Sequence, residues 1–522
     1  MLSWVTQLAG KPHDELTEAS RVRTSRPMVW ALTAMCFALM AACEEKPRPG
    51  VPPRHIVLVT VDTLSADRMS SLGHSRATTD LAGVLSSAGE IPEHYRSLDR
   101  LAAEGVLFAR AFAPRGMTFP SMATVFTGRS PLEHGAIDNG NLLCESVPTL
   151  AASLSAAGFE TAGFTANQLL AVRSGIERGF DHFFTDISVE RDLQVVMAAT
   201  AWLRERDLER GPPLFMWLHL MGPHIPYEPT ELQDVDYQAL FADPNYSGAA
   251  NGSREFLDEV YGAGTLLESK DVEHIRALYD GEVARVDHLI ALFTEILSGT
   301  LDVQPVNVLD DALFVFAADH GEELHRRGNY WAHSKSVYDT VLHVPLFIRH
   351  PSSLTGRRVI GELVELQDLM PTVLDWFNVP SPSGVRGRSL LPLMDGDEFE
   401  SRGVFGHWRD QIFTVRTEKW RYVWNPNGVE PSDPPSGAYP IAERALYDVR
   451  ADPFQVHDLL KDKTKIGIEL EQLIVDWQSQ LNPVCDANGT ISPERLQDLK
   501  DLGYVDDGEE DPRSPTAKDV EE

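Results

Sequence analysis

Hydrophobic and polar positions follow one another along the chain in a pattern that predicts strands alternating with helices. Nearly continuous apolar runs occupy residues 55–61, 213–220 and 312–318. Runs of this kind are typical of strands that are buried on both faces of a parallel sheet. Amphipathic stretches, among them 98–104 and 149–157, lie between these runs and predict helices. The alternation therefore predicts an α/β fold with a doubly wound, mostly parallel sheet.

The pattern changes near residue 403, where the strand-like pieces become short. These pieces are VFGHW at 404–408, IFTVRT at 412–417, WRYVWN at 420–425 and ALYDV at 445–449. They predict a small antiparallel sheet in a second subdomain. The resulting organisation is a main domain at 54–395, a C-terminal subdomain at 396–505 and an acidic tail at 506–522. The tail is predicted to be disordered, because it is rich in charge and has no aromatic residue.

The N-terminal segment has the features of an export signal. Several arginines precede the uncharged apolar run at 28–42, which is shorter than the roughly 20 residues that a membrane span needs. Small residues come directly before Cys43, as in a bacterial lipoprotein cleavage box. We predict a lipoprotein-type signal peptide at 1–43, a Pro-rich tether at 44–53, and a bacterial envelope or periplasmic protein anchored by lipid at Cys43. An ordinary signal peptide that is cut nearby is the alternative.

Composition and charge restrict the possible ligands. The chain of 522 residues is 43% hydrophobic and 24% charged, an ordinary globular balance. Its formal net charge of -32 repels nucleic acid and anionic lipid, so a nucleic-acid partner is not expected. An anionic substrate would need local cations, which a bound metal can supply. The four cysteines exclude a disulfide-rich scaffold, and whether Cys144 pairs with Cys485 stays open at this stage.

Polar residues follow two of the apolar runs. Asp62 comes directly after the first run, and Asp319 and His320 come directly after the third. Ligands of open α/β sheets bind at the carboxyl ends of the strands. Carboxylate oxygens and imidazole nitrogens suit a divalent cation such as Ca, Mn or Zn. We therefore predict one divalent metal site here, although Asp62 alone could instead cap the next helix.

Thr118 is a candidate nucleophile. Pro120 suits the first turn of a helix and Gly128 suits its end, so Thr118 should stand at a helix N-terminus. Unpaired backbone N–H groups and the helix dipole favour an anionic oxygen there. A threonine hydroxyl attacks only when a metal or a base activates it. The alternative is a helix-capping threonine without a catalytic role.

Several motifs together resemble the sulfatase family, which belongs to the alkaline phosphatase superfamily. They are VTVDTLSADR at 59–68, TFPSMATVFTGRSPLEHG at 118–135, PHIPY at 223–227, YDGEVARVD at 279–287, ADHGEELHRRGNYWAHSKS at 318–336 and LVELQDLMPTVLDWFNVP at 363–380. With further matches, the resemblance covers about residues 54–505. It implies an alkaline-phosphatase-like α/β/α sandwich with a large, mostly parallel central sheet and a small C-terminal antiparallel α+β subdomain.

The resemblance also implies roles for individual residues. The metal ligands would be Asp62, Asp319 and His320, and Thr118 would be both the nucleophile and a fourth metal contact.

Four further positions correspond to substrate contacts in the family. His224 and His333 would hold the ester oxyanion and act on the leaving group. Lys335 and His134 are weaker candidates for substrate binding. His134 and His333 could instead be structural histidines, and Lys335 could simply face the site.

The chain departs from the best-known sulfatases at the nucleophile. Those enzymes carry Cys or Ser there, with Pro and Arg two and four residues later, whereas this chain has Thr118, Pro120 and Met122. Thr63 replaces the second Asp of the family's Asp pair. The resemblance thus implies a metal-dependent hydrolase of sulfate, phosphate or phosphonate esters, small or glycan-linked. The alternatives are a phosphoethanolamine-type phosphotransferase and a pseudoenzyme that binds anionic glycans at the cell envelope.

Overall fold

The structure, a computed structural model, describes residues 52–485 apart from several gaps. The gaps are 81–94, 172, 189, 234, 301–306, 328–329, 353, 355–357, 398 and 430–440. The predicted signal peptide and acidic tail, and nearly all of the tether, lie outside the described residues. None of the described helices combines the length and the hydrophobicity needed to cross a bilayer.

Strands are short at the edges of the fold and long at its centre. In chain order they are β1 His55–Val61, β2 Val106–Phe108, β3 Ala111–Phe112, β4 Glu160–Thr165, β5 His182–Thr185, β6 Leu214–Leu220, β7 Ala312–Ala318, β8 His343–Val344, β9 Leu346–Arg349, β10 Arg358–Ile360, β11 Val364–Glu365, β12 Val404–Trp408, β13 Ile412–Arg416, β14 Trp420–Trp424 and β15 Arg444–Asp448.

Eight strands form the large sheet, in the order β10-β2-β9-β7-β1-β6-β4-β5. The three apolar runs of the sequence are its central strands, because β1 lies between β6 and β7 and pairs with both in parallel. Every residue of these three strands is buried. Only β9 runs antiparallel to its neighbours β2 and β7. The predicted large, mostly parallel sheet is confirmed.

Helices cover the sheet and support its loops. In chain order they are α1 Leu98–Ala103, α2 Thr118–Thr127, α3 Pro131–His134, α4 Leu150–Ala156, α5 Arg191–Arg204, α6 Tyr237–Leu240, α7 Arg254–Gly262, α8 Ser269–Leu297, α9 Asp339–Leu342, α10 Leu369–Trp376, α11 Leu391–Asp395 and α12 Thr464–Ser479. Helix α5 packs on β4 and β6, and the long α8 packs on α5. Helix α2 begins at Thr118 and ends before Gly128, as predicted.

The C-terminal part contains the predicted antiparallel sheet, in the order β12-β13-β14-β15. Helix α12 packs on β13 and β14, and a separate apolar core forms between them. A three-stranded sheet, β11-β3-β8, was not predicted. Its strands have only two residues each, too few to show a period in the sequence.

A disulfide joins Cys144 to Cys485, across 341 residues of sequence. The sequence left this pairing open. The bond fixes the end of the described chain to the loop that precedes α4.

Candidate active site and metal centre

Two neighbouring strands bring the predicted metal ligands together. Strands β1 and β7 are paired with Val61 opposite Ala318, so the residues that follow them meet at one edge of the sheet. One ligand atom from each of Asp62, Asp319 and His320 lies within 4.8 Å of the others. All three side chains are fully buried. The strand ends therefore form a group of side chains that could hold one metal ion.

Thr118 lies against this group. It is the first residue of α2, and its Oγ1 donates a hydrogen bond of 3.3 Å to Asp62 Oδ2. The same oxygen is 3.5 Å from His320 Nε2. Helix α2 thus places a hydroxyl, at its positive N-terminal end, beside the three candidate ligands. Thr118 is therefore in contact with two of the three candidate ligands, Asp62 and His320.

The polar atoms of the cluster are suited to a cation. Asp62 Oδ1 and Asp319 Oδ2 are buried and have no hydrogen-bond partner among the described residues. Burial and the negative charge of Asp62 raise the pKa of Asp319 well above its ordinary value. His320 Nδ1 lies 3.0 Å from the carbonyl oxygen of Gly321 and can donate to it, which leaves the Nε2 lone pair facing the carboxylates. Two carboxylates and a neutral imidazole are a normal donor set for a divalent cation.

Several further groups hold the two aspartates in place. Asn167 Nδ2 donates to Asp62 Oδ2 at 2.8 Å, and His219 Nε2 lies 3.6 Å from the same oxygen. The backbone N–H groups of Thr63 and His320 donate to Asp319 Oδ1 at 3.1 and 2.7 Å. Thr63 therefore contributes its backbone at the position where the family carries a second Asp.

Three histidine rings form a row that begins at the cluster. The ring centres of His320 and His333 are 4.4 Å apart, and those of His333 and His224 are 5.3 Å apart. His333 Nδ1 lies 2.9 Å from Glu322 Oε1, and His224 Nδ1 lies 2.7 Å from the carbonyl oxygen of Ile225. Burial lowers the pKa of both His224 and His333 to about 4. Both rings are therefore neutral at neutral pH, with Nε2 available to a ligand.

The two weaker candidates have other contacts. His134 Nδ1 accepts from the Ala136 N–H at 3.2 Å, and its Nε2 donates to Thr124 Oγ1 at 3.1 Å. Both ring nitrogens are engaged, which favours the structural alternative for His134. Lys335 Nζ donates to Tyr261 Oη at 3.3 Å, and its substrate-binding role stays a prediction.

The sequence reasoning missed Asn167 and Glu322. Asn167 comes two residues after β4, so it obeys the same strand-end rule as Asp62. The mixed composition of β4, ETAGFT, hid that strand. Glu322 is two residues after His320, but nothing in the sequence indicates that it would contact His333.

Family models match most of the chain. The model described as Sulfatase matches residues 54–379. A second model, described as N-sulphoglucosamine sulphohydrolase, C-terminal, matches residues 328–480.

Two distant curated relatives match over nearly their whole length. An arylsulfatase of Clostridium perfringens is 22% identical, over 86% of this chain and 99% of that enzyme. An N-acetylglucosamine-6-O-sulfatase of Bacteroides thetaiotaomicron is 20% identical, over 91% and 95% of the two chains. Among solved structures, the phosphonate monoester hydrolase of Agrobacterium radiobacter has a similar fold, with a TM-score of 0.62 and 20% identity over 82% and 96% of the two chains.

Proposed function

We propose a function from one premise, that the chain belongs to the sulfatase family of the alkaline phosphatase superfamily and is an ester hydrolase. In this proposal it cleaves sulfate, phosphate or phosphonate esters by attack of an unmodified Thr118 hydroxyl. The observation that carries the proposal is the position of Thr118 Oγ1, 3.3 Å from Asp62 and 3.5 Å from His320.

The residues that would hold the cation are Asp62, Asp319 and His320, with Thr118 Oγ1 as a further contact. When bound, a divalent cation supplies positive charge that lowers the pKa of a hydroxyl and attracts an ester oxyanion. Asp62 Oδ1 and Asp319 Oδ2, which accept no hydrogen bond from the described part of the chain, support this assignment.

In the proposed reaction, Thr118 Oγ1 passes its proton to Asp62 Oδ2 and attacks sulfur or phosphorus. Asp62 Oδ2 already accepts the hydrogen bond of this hydroxyl. The bond to the leaving oxygen breaks as the Oγ1 bond forms, which gives an ester on Thr118. The anionic substrate favours the protonated form of the His333 imidazole, which then protonates the leaving alcohol. In the second step His333 takes one proton from a water molecule, whose oxygen bonds to sulfur or phosphorus as the bond to Thr118 Oγ1 breaks, and the proton held by Asp62 returns to Oγ1.

The remaining side chains would position these groups. Glu322 fixes the ring of His333 through Nδ1, as the third group of a catalytic triad does for its base. His224 lies next to His333, and its Nδ1–H donates to the Ile225 carbonyl oxygen. The anionic substrate would also favour the protonated form of His224, whose Nε2–H would then donate to an equatorial oxygen.

We also propose that the substrate is an anionic ester on a small or glycan-linked alcohol, outside the cytoplasm. The relative named N-acetylglucosamine-6-O-sulfatase supports a glycan-linked alcohol. The disulfide between Cys144 and Cys485 supports export, because disulfides persist in oxidising compartments. The lipid anchor at Cys43 belongs to the same proposal.

The test uses metal-replete protein and four esters of one chromogenic alcohol: sulfate, phosphate monoester, phosphodiester and phosphonate. We expect turnover of at least one ester, and we expect Thr118→Ala to lower its kcat at least about 10³-fold. Thr127→Ala is the matched control, because Thr127 is a buried threonine of the same helix that bonds only within it. If Thr118→Ala retains activity within about tenfold of the wild type, Thr118 is not the nucleophile.

A further inference from the structure

A cavity of about 380 Å³ opens beside the candidate active site. Its volume is in the range of about 300–1,000 Å³ that is usual for small-molecule sites. It shares His224 with the row of histidines, and its other polar walls come from the start of α5, the middle of α8 and three loop residues, Ser188, Glu228 and Thr230. The catalytic proposal does not use these walls, whose main side chains are Arg191, Asp192, Glu282 and Arg285.

The two arginine side chains of this cavity have N–H groups that donate to no acceptor among the described residues. Arg285 is 5% exposed and donates one N–H to Glu190 Oε2 at 2.8 Å. Its Nε is buried without a hydrogen-bond partner in the described part of the chain. Arg191 lines the same cavity, and the described residues give its guanidinium neither a hydrogen-bond nor an ion-pair partner. The guanidinium of Arg191 is only half-buried and lines the cavity, so an acceptor from a ligand could pair with its N–H groups.

Glu282 adds a third donor. Its carboxyl group is buried and accepts a hydrogen bond from the backbone N–H of Glu228. Burial raises the pKa of Glu282 to about 8, in spite of the opposing charge of Arg285. The group therefore carries its proton at neutral pH and can donate it in a hydrogen bond.

Asp192 engages these donors only at long range, since its Oδ2 lies 4.0 Å from Arg285 Nη1. Its two carboxylate oxygens accept from the backbone N–H groups of Met221 and Gly222 at 2.6 and 3.0 Å. Glu190, Asp192 and Glu228 outweigh the charge of the two arginines, so an anion would be held here by hydrogen-bond donors and not by net charge. The start of α5, a helix of 14 residues, faces the same cavity and adds a favourable dipole for an anion.

We propose that this cavity binds a second anionic group of the substrate, either a carboxylate or a second sulfate or phosphate. Such a group offers several acceptor oxygens to Arg191, Arg285 and Glu282 at once. The inference rests on the proposed function for one point, that the ester to be cleaved lies at Thr118. The natural substrate is then an ester that carries at least two anionic groups.

The test measures binding to metal-replete, full-length protein by isothermal titration calorimetry at pH 7. The probes are benzenesulfonate, 4-sulfobenzoate and benzene-1,4-disulfonate, together with the biphenyl homologues of the last two for a longer spacing. We expect at least one doubly anionic probe to bind at least about tenfold more tightly than benzenesulfonate. The carboxylate and sulfonate probes distinguish the two sources of the second anion. Equal affinity for all probes, or no binding of any, overturns the proposal.

Variants locate the effect in the cavity. Arg191→Ala should abolish the preference for the doubly anionic probe and leave benzenesulfonate binding within about twofold. Arg191→Lys should keep part of the preference, because it keeps the charge. Arg204→Ala is the matched control, since Arg204 is an exposed residue at the far end of the same helix. If Arg191→Ala weakens all probes equally, or changes nothing, the cavity does not bind the second anion.

The two proposals fail in different ways. If no ester is hydrolysed but the preference for doubly anionic probes is present and depends on Arg191, the proposed function is wrong and the anion site stands. If esters are hydrolysed but the preference is absent, the proposed function stands and the second anion site is wrong.

Discussion

Two oxygens of buried carboxylates, Asp62 Oδ1 and Asp319 Oδ2, have no hydrogen-bond partner among the described residues. Burying a polar atom in this way costs on the order of 1–3 kcal/mol, and more when the group is charged. A cation between the two aspartates removes that cost and also removes their mutual repulsion. The metal should therefore bind tightly and stabilise the fold.

Replacing Asp319 tests whether the two aspartates hold a metal ion. Asp319→Asn keeps the shape and removes the charge, so we expect the content of divalent metal to fall from one equivalent to a small fraction, with loss of activity. The measurement is elemental analysis after dialysis in metal-containing buffer. Asp395→Asn, at an exposed helix end, should keep its metal. A full equivalent of metal in Asp319→Asn would contradict the assignment.

The buried carboxyl group of Glu282 should make the stability of the fold depend on pH. Its pKa is raised from 4.5 to about 8 in the folded chain, so the folded state holds this proton more tightly than the unfolded state does. The stabilising contribution is complete below pH 4.5 and is lost as the pH rises towards 8. Arg285 and Arg191 oppose the rise in pKa, and Asp192 adds to it.

We expect Glu282→Gln to be about as stable as the wild type at pH 5 and more stable at pH 9, by about 3–5 kcal/mol at most. Urea unfolding at pH 5, 7 and 9 measures this difference. Glu259→Gln, at an exposed position, should show no such trend. A difference between wild type and Glu282→Gln that is constant with pH would show that Glu282 ionises normally.

The sequence identified residues where local position and chemistry coincide. Asp62 and Asp319 each follow a long apolar strand, so topology alone brings them to one edge. His134 resembled a site residue, but its neighbours Thr124 and Ala136 take both ring nitrogens. That outcome depends on side-chain hydrogen bonds, which no pattern of residue types encodes.

Helix α2 sets the position of Thr118, and its C-terminal end depends on Gly128. Gly128 has φ of +63°, and a Cβ atom there would lie 2.8 Å from Val385 Cγ1. Gly158, just beyond α4, has φ of +94° with no atom within 4 Å of such a Cβ. Substitutions at the two glycines therefore distinguish the cost of backbone strain, present at both, from the cost of steric contact, present only at Gly128.

We expect Gly158→Ala to lower the free energy of unfolding by about 1–2 kcal/mol, from left-handed strain alone. Gly128→Ala should lower the free energy of unfolding by more than that, because Val385 must also move. It should also lower kcat, because α2 carries Thr118. Chemical denaturation and steady-state kinetics measure the two effects. If the two variants lose the same free energy of unfolding, the Val385 side chain moves away from the new Cβ atom without measurable cost.

Elements were predictable where sufficient length was combined with a clear apolar pattern, which the six-residue β4 lacks. The seven-residue strands β1 and β7 are continuous apolar runs and could be read directly. Strands β3, β8 and β11 have two residues each, and they form by pairing with strands that are distant in sequence. The four-stranded C-terminal sheet was predictable because each of its strands is a distinct piece of five residues.

At the scale of the whole molecule, the disulfide between Cys144 and Cys485 should be a main source of stability outside the core. Loss of a native disulfide typically costs about 2–5 kcal/mol. We expect Cys485→Ser to lower the Tm, and we expect reductant to lower the wild-type Tm to the value of the variant. The double variant Cys144→Ser, Cys485→Ser should not respond to reductant. A wild-type Tm that is unaffected by reductant would show that the bond does not form.

The same bond has a consequence for limited proteolysis. A protease that cuts between positions 144 and 485, for instance in the exposed stretch 243–245, would leave two polypeptides that one covalent link still joins. The nicked protein would then migrate as one band in a non-reducing gel and as two bands once the sample is boiled with thiol. A preparation that looks intact in the first gel can thus consist entirely of cleaved molecules.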